Sequence, residues 1–412
     1  MRSFAVTIPK TFTNPFRPGA GHVPPYLAGR DDEKREFEQF LRQEVITDNP
    51  IITGLRGVGK TVLLEELKAI AIASGWLWVG TDMTESASLT EDNLAVRLLA
   101  DLSAVTSTLE IDRVTEKKFG FTPDSDEFPV TLNYDALCQM YSDTPGLCSD
   151  KLKAVLQGAA AALPAEKKGV IFAYDEAQNL EDHAKDKQFP LSLLIDVFQS
   201  IQRQNLPILL VLVGLPTLFP KLVEARTSAE RMFHIIHLDR LAEGESRQAI
   251  VKPIKQKGCP IHLDDKLIGL IVAESGGYPY FIQFISREVY DVALQKQQKG
   301  EPLTVSIPGI TRKLDADFFS GRWAKATDRQ RELLRVIAAL DESETEFTVL
   351  AIVQKAKDLV AAAKLESGFS ASLVNQMLNK LCLSGFVYKN RHGKYSFAVP
   401  LLGRFIRRQS TE

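Results

Sequence analysis

Gly54-Leu55-Arg56-Gly57-Val58-Gly59-Lys60-Thr61 completes the pattern G-x-x-x-x-G-K-[ST], a P-loop. It follows the apolar stretch Pro50-Ile51-Ile52-Thr53 and precedes an amphipathic one, Val62 to Ala73, so the order predicts strand, tight loop and helix. Glycines let the backbone turn its N–H groups inward around a β-phosphate, at the positive end of the following helix. Lys60 can then reach the β/γ-phosphates, and the Thr61 hydroxyl can ligate Mg²⁺. Nucleotide binding is therefore expected at Gly54, Leu55, Arg56, Gly57, Val58, Gly59, Lys60, Thr61 and the adjoining Val62.

The rest of the chain sets bounds on that reading. Its 412 residues allow two to three domains, each with its own core, and 45% hydrophobic residues supply the apolar surface. Cys138, Cys148, Cys259 and Cys382 lie far apart without a C-x-x-C pair, which predicts reduced, buried thiols rather than a metal site or a disulfide framework. No apolar run approaches the roughly 20 residues of a membrane span. The first 25 residues have neither a secretory apolar core nor an Arg-rich amphipathic helix, and read as an ordered Pro/Gly-rich arm or a flexible leader. The expectation is a cytoplasmic protein without membrane contact. Charge is uneven: Arg322 to Glu412 holds 15 Lys/Arg against 9 Asp/Glu, a net of +6, so the preceding 321 residues carry −8 of the overall −2. A basic end on an acidic body suits either a polyanion or a merely solvated surface.

From about residue 45 to 240, β-rich runs alternate with helical patterns. Strands are expected at Ile51–Thr53, Trp76–Thr81, Gly169–Tyr174, Pro207–Val213 and His234–Leu238, with helices such as Leu89–Leu102, Asp150–Leu163 and Leu191–Gln204 between them. That alternation is the mark of an α/β fold with a parallel sheet covered on both faces. Thr115–Pro129 lacks periodicity and reads as an exposed insertion. After Leu238 the strands stop. Helices follow, broken at Gly258-Cys259-Pro260 and Gly276-Gly277, then a Pro-containing connector, Glu301 to Gly309. Beyond residue 323, helical stretches at 328–340, 347–359 and 370–383 precede two β-rich runs, Gly385–Lys389 and Lys394–Ala398. Three helices and a basic hairpin describe a winged helix.

A P-loop needs a carboxylate for the metal's water shell and a group to orient attacking water. Gly169 to Glu176 offers both, because an apolar strand ends in adjacent acids at the edge where ligands of parallel sheets bind. Asp175 would lie near Mg²⁺ and Glu176 would polarise water; the plainer alternative is two solvated acids opening a helix.

These two segments resemble the Walker A and Walker B motifs of AAA+ ATPases. The order of P-loop core, helical lid and winged helix resembles the origin-recognition/initiator clade, with lid features similar to STAND signal-transduction ATPases. The resemblance implies an N-terminal arm at 1–25, an AAA+ core at 26–240, a helical lid at 241–310 and a winged helix at 322–412. It implies an ATP hydrolase using ATP and Mg²⁺, with Lys60 and Glu176 catalytic and Thr61 and Asp175 at the metal. Leu27 to Asp32 resembles the clade's G-R-x-x-E entry beside the adenine, or else is a capped helix start.

Two departures stand out. The strand that usually ends in a polar sensor residue here runs Val213-Gly214-Leu215-Pro216-Thr217, so the sensor is glycine or is displaced to Thr217. The lid stretch Ser275 to Phe281 has no arginine before Arg287. Gly276-Gly277-Tyr278-Pro279 resembles the STAND G-x-P motif, placing Pro279 near the base, or is only an interhelical turn. The clade also sets a trans-acting arginine before its fifth strand. Arg231 is the first candidate and Arg226 the second, and such a finger would make hydrolysis depend on a homo-oligomer formed with ATP bound.

In the winged helix, the third helix offers Ser372, Asn375, Gln376, Asn379 and Lys380. The wing adds Lys389, Arg391, His392 and Lys394, and the tail Arg404, Arg407 and Arg408. DNA bound through residues 370–408 would be held mainly by its backbone. The alternative is a slow STAND-like scaffold ATPase whose winged helix recruits a protein effector.

Overall fold

A computed structural model describes residues 13–19, 21–108, 110–111, 130–256, 259–391 and 393–409. The insertion expected at Thr115–Pro129, together with His392 of the wing, lies outside the described residues. The chain forms two compact units, one of residues 31–53 and 63–237, the other of residues 1–30, 54–62 and 238–412.

The first unit holds α1 (Asp31–Phe40), β1 (Asn49–Thr53), most of α2 (Lys60–Ala73), β2 (Trp76–Val79) and α3 (Glu91–Thr106). A two-residue ladder of β3 (Glu110–Ile111) with β4 (Val130–Thr131) follows, then α4 (Tyr134–Asp143), α5 (Cys148–Ala161), β5 (Gly169–Tyr174), α6 (Pro190–Gln202) and β6 (Ile208–Gly214). It closes with α7 (Leu218–Ala225), α8 (Ala229–Met232) and β7 (Phe233–His237). The five long strands form one parallel sheet in the order β2-β5-β6-β1-β7, with Ile51 opposite Leu212 and Ile235, and Phe172 opposite Leu210 and Val79. Burial follows position: β1, β5 and β6 are buried at every residue, whereas the edge strands β2 and β7 keep partly exposed positions.

Polar residues are built into this core as well, Asn49 among them. Asn49 opens β1 fully buried, and its amide donates to Gln202 Oε1 at 3.0 Å and the Met232 carbonyl at 3.3 Å. Its Oδ1 accepts from Leu210 N and Gln202 Nε2, both at 2.8 Å. A buried amide with its donors and acceptor satisfied costs little and pins β1 to β6 and α6.

The second unit begins with the N-terminal arm, which is ordered over its described residues. Phe16 is buried against Tyr290, and Asn14 Nδ2 donates to Asp291 Oδ1 at 2.8 Å. The lid comprises α9 (Glu243–Ile254), α10 (Asp265–Ser275) and α11 (Pro279–Lys299). Asp264 caps α10, Gly276 ends it in the left-handed region, and Pro279 starts α11 at a position where a missing N–H costs nothing. The connector expected at 301–309 turns helical early. Ser306 caps α12 (Ile307–Leu314), with Pro308 in its first turn, and a π-helical turn (Asp315–Phe319) leads into α13 (Ser320–Trp323).

Then come α14 (Asp328–Ala338), β8 (Phe347–Thr348), α15 (Val349–Ala361), α16 (Ala371–Leu383), β9 (Val387–Arg391), β10 (Lys394–Phe397) and α17 (Leu402–Gln409). The small sheet β8-β10-β9 is antiparallel, with Phe347 opposite Tyr395 and Val387 opposite Phe397. Three helices with a strand between the first two, closed by a hairpin, fit a winged-helix domain. The helix expected at 347–359 therefore starts later, because Phe347 and Thr348 pair with β10 and the Thr348 hydroxyl caps α15 through Ala351 N at 3.1 Å. Lid and winged helix share one hydrophobic core, in which Phe319 stacks on Phe405 with ring centroids 5.0 Å apart.

Candidate functional site

The P-loop runs directly on from Thr53, the last residue of the buried strand β1, and ends in the first turn of α2. Its curvature depends on glycine. Gly57 and Gly59 have φ of 81° and 93°, and a Cβ on Gly54 would lie 2.5 Å from the Leu238 carbonyl oxygen. Lys60 is buried, and its ammonium donates to the carbonyls of Gly54 at 3.0 Å and Leu55 at 3.1 Å, which holds it within the bend of the loop. Thr61 and Val62, next in the first turn of α2, are half-buried, and Arg56 is exposed at the crown.

Two supports brace this loop within its own unit. Arg30 is buried, and its guanidinium donates to the carbonyls of Val58 at 3.0 Å and Asp239 at 2.7 Å. Sequence reasoning placed Gly29-Arg30 beside a base; the structure gives Arg30 the task of tying the loop to the chain at Asp239. The lid supplies the second support. Tyr280 N donates to the Gly57 carbonyl at 3.1 Å, and a methyl on Gly59 would sit 3.9 Å from Pro279 Cγ. Pro279 thus lies beside the P-loop.

In the sheet unit, Asp175 follows directly on β5 and is buried. Asp175 N donates to the Thr81 carbonyl at 3.3 Å, and its Oδ1 accepts from Glu176 N at 2.7 Å. Glu176 is exposed and sits at φ 51°, ψ 30°, a left-handed conformation that a non-glycine residue adopts at a cost. Gln178 was missed by sequence reasoning. Its Nε2 donates to Glu176 Oε2, and its Oε1 accepts from Leu215 N at 3.0 Å. Gln178 therefore links the exposed acid to the β6–α7 turn, beside the glycine that stands where a polar sensor residue was expected. Only a tertiary contact could have revealed this, since β6 lies some 30 residues further along the chain.

The two finger candidates separate cleanly. Arg226 is held by Asp196 through contacts of 2.8 to 3.2 Å, and that partner raises its pKa. Arg231 is exposed at the end of α8 and makes no side-chain hydrogen bond or ion pair among the described residues.

On the winged helix, Ser372, Asn375, Gln376, Asn379 and Lys380 are all exposed along α16, and Lys389 is exposed in the wing. The tail arginines are held by carboxylates instead. Arg404 and Arg407 both pair with Glu344 at 3.0 Å, and Arg408 Nε donates to Asp315 Oδ2 at 2.8 Å. Burial raises the Glu344 pKa, but Arg404 and Arg407 outweigh it and hold the carboxyl below its ordinary value. The four cysteines are half-buried and unpaired, and no helix among the described residues is long and apolar enough to cross a membrane.

Comparison with known proteins fixes the fold. A domain of unknown function (DUF8462) matches residues 316–406, which span the winged helix. No curated protein matches the chain. Among solved structures, the Walker-type ATPase PABY2304 of Pyrococcus abyssi is similar with a TM-score of 0.52 at 14% identity, covering 92% of this chain and 96% of that one. The ADP form of the ORC2 protein of Aeropyrum pernix gives a TM-score of 0.52 at 15% identity, over 96% of this chain and 98% of that one. The chain shares the fold of these two proteins, consistent with the expected P-loop AAA+ architecture.

Proposed function

We propose that this protein is an ATP-hydrolysing AAA+ switch that uses Mg²⁺. The observation that carries the reading is the P-loop itself: a glycine-shaped bend with a lysine ammonium folded into it, braced by Arg30 and by the start of α11. In this reading Gly54 to Val62 hold the phosphates through backbone N–H groups and Lys60, and Pro279 packs against the nucleotide from the lid. A hard divalent cation suits oxygen donors, and the Thr61 hydroxyl and the Asp175 carboxylate are of that kind. Bound there, Mg²⁺ would neutralise charge on the β- and γ-phosphates. Glu176 polarises the attacking water, and Gln178 fixes its orientation while taking up the sensor position left empty by Gly214. Lys60→Ala tests this directly, since ATP affinity unchanged from wild type would remove the P-loop from the function.

Arg231 belongs to a neighbouring copy's reaction. It precedes β7 and so lies at the amino-terminal edge of the parallel sheet, whereas β1 delivers the P-loop at the opposite edge. Five residues of strand at about 3.3 Å each put roughly 16 Å between those edges, beyond the reach of one side chain. Arg231 would therefore act in trans, and turnover would rise with self-association.

The winged helix is the output surface. Its exposed amides and lysines on α16 and the wing suit a nucleic-acid backbone with little base preference, and binding would fall steeply with salt. A second reading, recruitment of a protein, is favoured by Leu383, which is 91% exposed at the end of α16, and by the internal pairing of the tail arginines. ATPase rate against protein concentration, with and without DNA at two salt concentrations, separates them. A rate that rises with concentration and jumps with DNA at low salt supports the first; a flat, slow rate indifferent to DNA supports the second.

A further inference from the structure

Strand β5 sends two aromatic side chains into the same core, and the fold treats them differently. Phe172 and Tyr174 are both fully buried in the apolar cluster that the sheet forms with α3 and α6. Phe172 sets its ring edge-on to Phe198, centroids 5.4 Å apart, and has no polar group to place. Tyr174, the last residue of β5, has one, and its hydroxyl donates to Asp101 Oδ2 at 3.0 Å. Asp101 belongs to α3 and is only 6% exposed. Its carboxylate is held in turn by Arg97, one helical turn earlier, through Nε to Oδ2 at 2.9 Å and through Nη2 to Oδ1. A phenol, a carboxylate and a guanidinium are thus set in line within the layer between sheet and helix.

Stability alone does not account for this set. A carboxylate taken out of water is costly, its arginine offsets that cost, and apolar residues of similar volume often pack there as well or better. What the set supplies is direction, because a hydrogen bond fixes a ring that packing alone would let shift. Its place along the chain says what is being fixed. Tyr174 immediately precedes Asp175 and Glu176, where the backbone leaves the strand. Asp175 N donates to the Thr81 carbonyl at 3.3 Å, and Met83 N donates to the Asp175 carbonyl at 2.8 Å. At Glu176 the chain enters the left-handed region, φ 51°, a conformation that persists where its surroundings over-determine it. The backbone bonds to residues 81 and 83 hold this turn from one side, and the Tyr174 hydroxyl ties it to α3.

We propose that Arg97, Asp101 and Tyr174 are positioning residues for hydrolysis, through which α3 sets the position of the turn that carries Asp175 and Glu176. This step rests on the ATP-hydrolysing reading above and deepens it. None of the three is itself catalytic. They act through the backbone of Tyr174, whose displacement passes to the next two residues. A displacement of about 1 Å at a reacting group costs about 100-fold in rate, so about half an ångström costs about tenfold. Nucleotide affinity is spared, because that reading puts the phosphates on Gly54 to Val62.

The experiment uses the full chain and compares wild type with Tyr174→Phe, Asp101→Leu, the double variant and Phe172→Leu, each assayed well below its melting temperature. Tyr174→Phe removes one oxygen atom and should lower kcat about tenfold while ATP affinity stays within about threefold. Amide exchange across residues 174–180 should quicken in the same variant. Asp101→Leu should match it in kcat, and the double variant should be no slower than Asp101→Leu, because both substitutions remove one hydrogen bond. Phe172→Leu disturbs the same core two residues earlier and should keep kcat within about twofold of wild type, a split that a merely structural role would not produce. If Asp101→Leu fails to fold, as judged by circular dichroism, Tyr174→Phe against Phe172→Leu decides. Unchanged kcat or unchanged exchange in Tyr174→Phe, an equal loss in Phe172→Leu, or losses that multiply in the double variant overturn the proposal. Wild-type protein that binds no ATP, or turns none over, sinks the underlying reading instead, so the two failures are distinct.

Discussion

Arg30→Met is expected to disable the P-loop without touching anything the loop would bind. The guanidinium donates to the Val58 and Asp239 carbonyls at 3.0 and 2.7 Å from a site only 4% exposed, so water cannot replace it cheaply. Hydrogen bonds from a charged group contribute about 1.5–3 kcal/mol each, which puts the loss near 3 kcal/mol at the low end of the range. Methionine retains the apolar stem but leaves both carbonyls without this donor. For a unit of roughly 200 residues, about 2–4 °C of melting temperature accompanies each kcal/mol, giving a drop of about 6–12 °C. A loop no longer held in register must be ordered by the ligand, and even about 1.4 kcal/mol diverted to that task weakens binding tenfold. Thermal melts with and without ATP, alongside a fluorescent-nucleotide titration, read both effects. A variant melting within 2 °C of wild type with unchanged ATP affinity would show that the loop holds its shape without Arg30.

Glu176→Gln should bind ATP with wild-type affinity and lose most turnover, and wild-type hydrolysis by that variant would remove Glu176 from the chemistry. Gln178→Leu, which frees Glu176 from the β6–α7 turn, should lower kcat by about tenfold or more with little change in affinity; unaltered kcat would leave Gln178 a purely structural link. Arg231→Ala should leave ATP affinity intact and abolish the rise of specific activity with concentration, and mixing with Glu176→Gln should restore part of it, because each copy lacks what the other supplies. If monomers of Arg231→Ala hydrolyse as wild type does, the trans assignment falls. Glu344→Gln tests the winged-helix pairing through pH. The folded carboxyl titrates below its unfolded value, so its stabilisation is complete above the ordinary carboxylate range near pH 4 and disappears as pH falls through the depressed pKa. The melting difference between wild type and variant should therefore be present at pH 7 and shrink in acid; a pH-independent difference would refute it.

The sheet was legible because parallel strands buried on both faces are continuous apolar runs. Gly169–Tyr174 was read to the residue, and the other four strands to within two. The position of Asp175 and Glu176 directly after Gly169–Tyr174 followed from the same run. What escaped were residues whose partners are remote in sequence. Gln178 reads as a polar residue in a short turn until β6 brings Leu215 to it, and Arg30 reads as a helix entry until Val58 and Asp239 converge on it. The tail arginines misled in the opposite direction. Three cations within five residues suggest a phosphate-binding end, yet Glu344 and Asp315 lie 60 or more residues upstream and take all three. Charge counted along a sequence is silent on pairing, and pairing decides whether a cation is offered to a ligand.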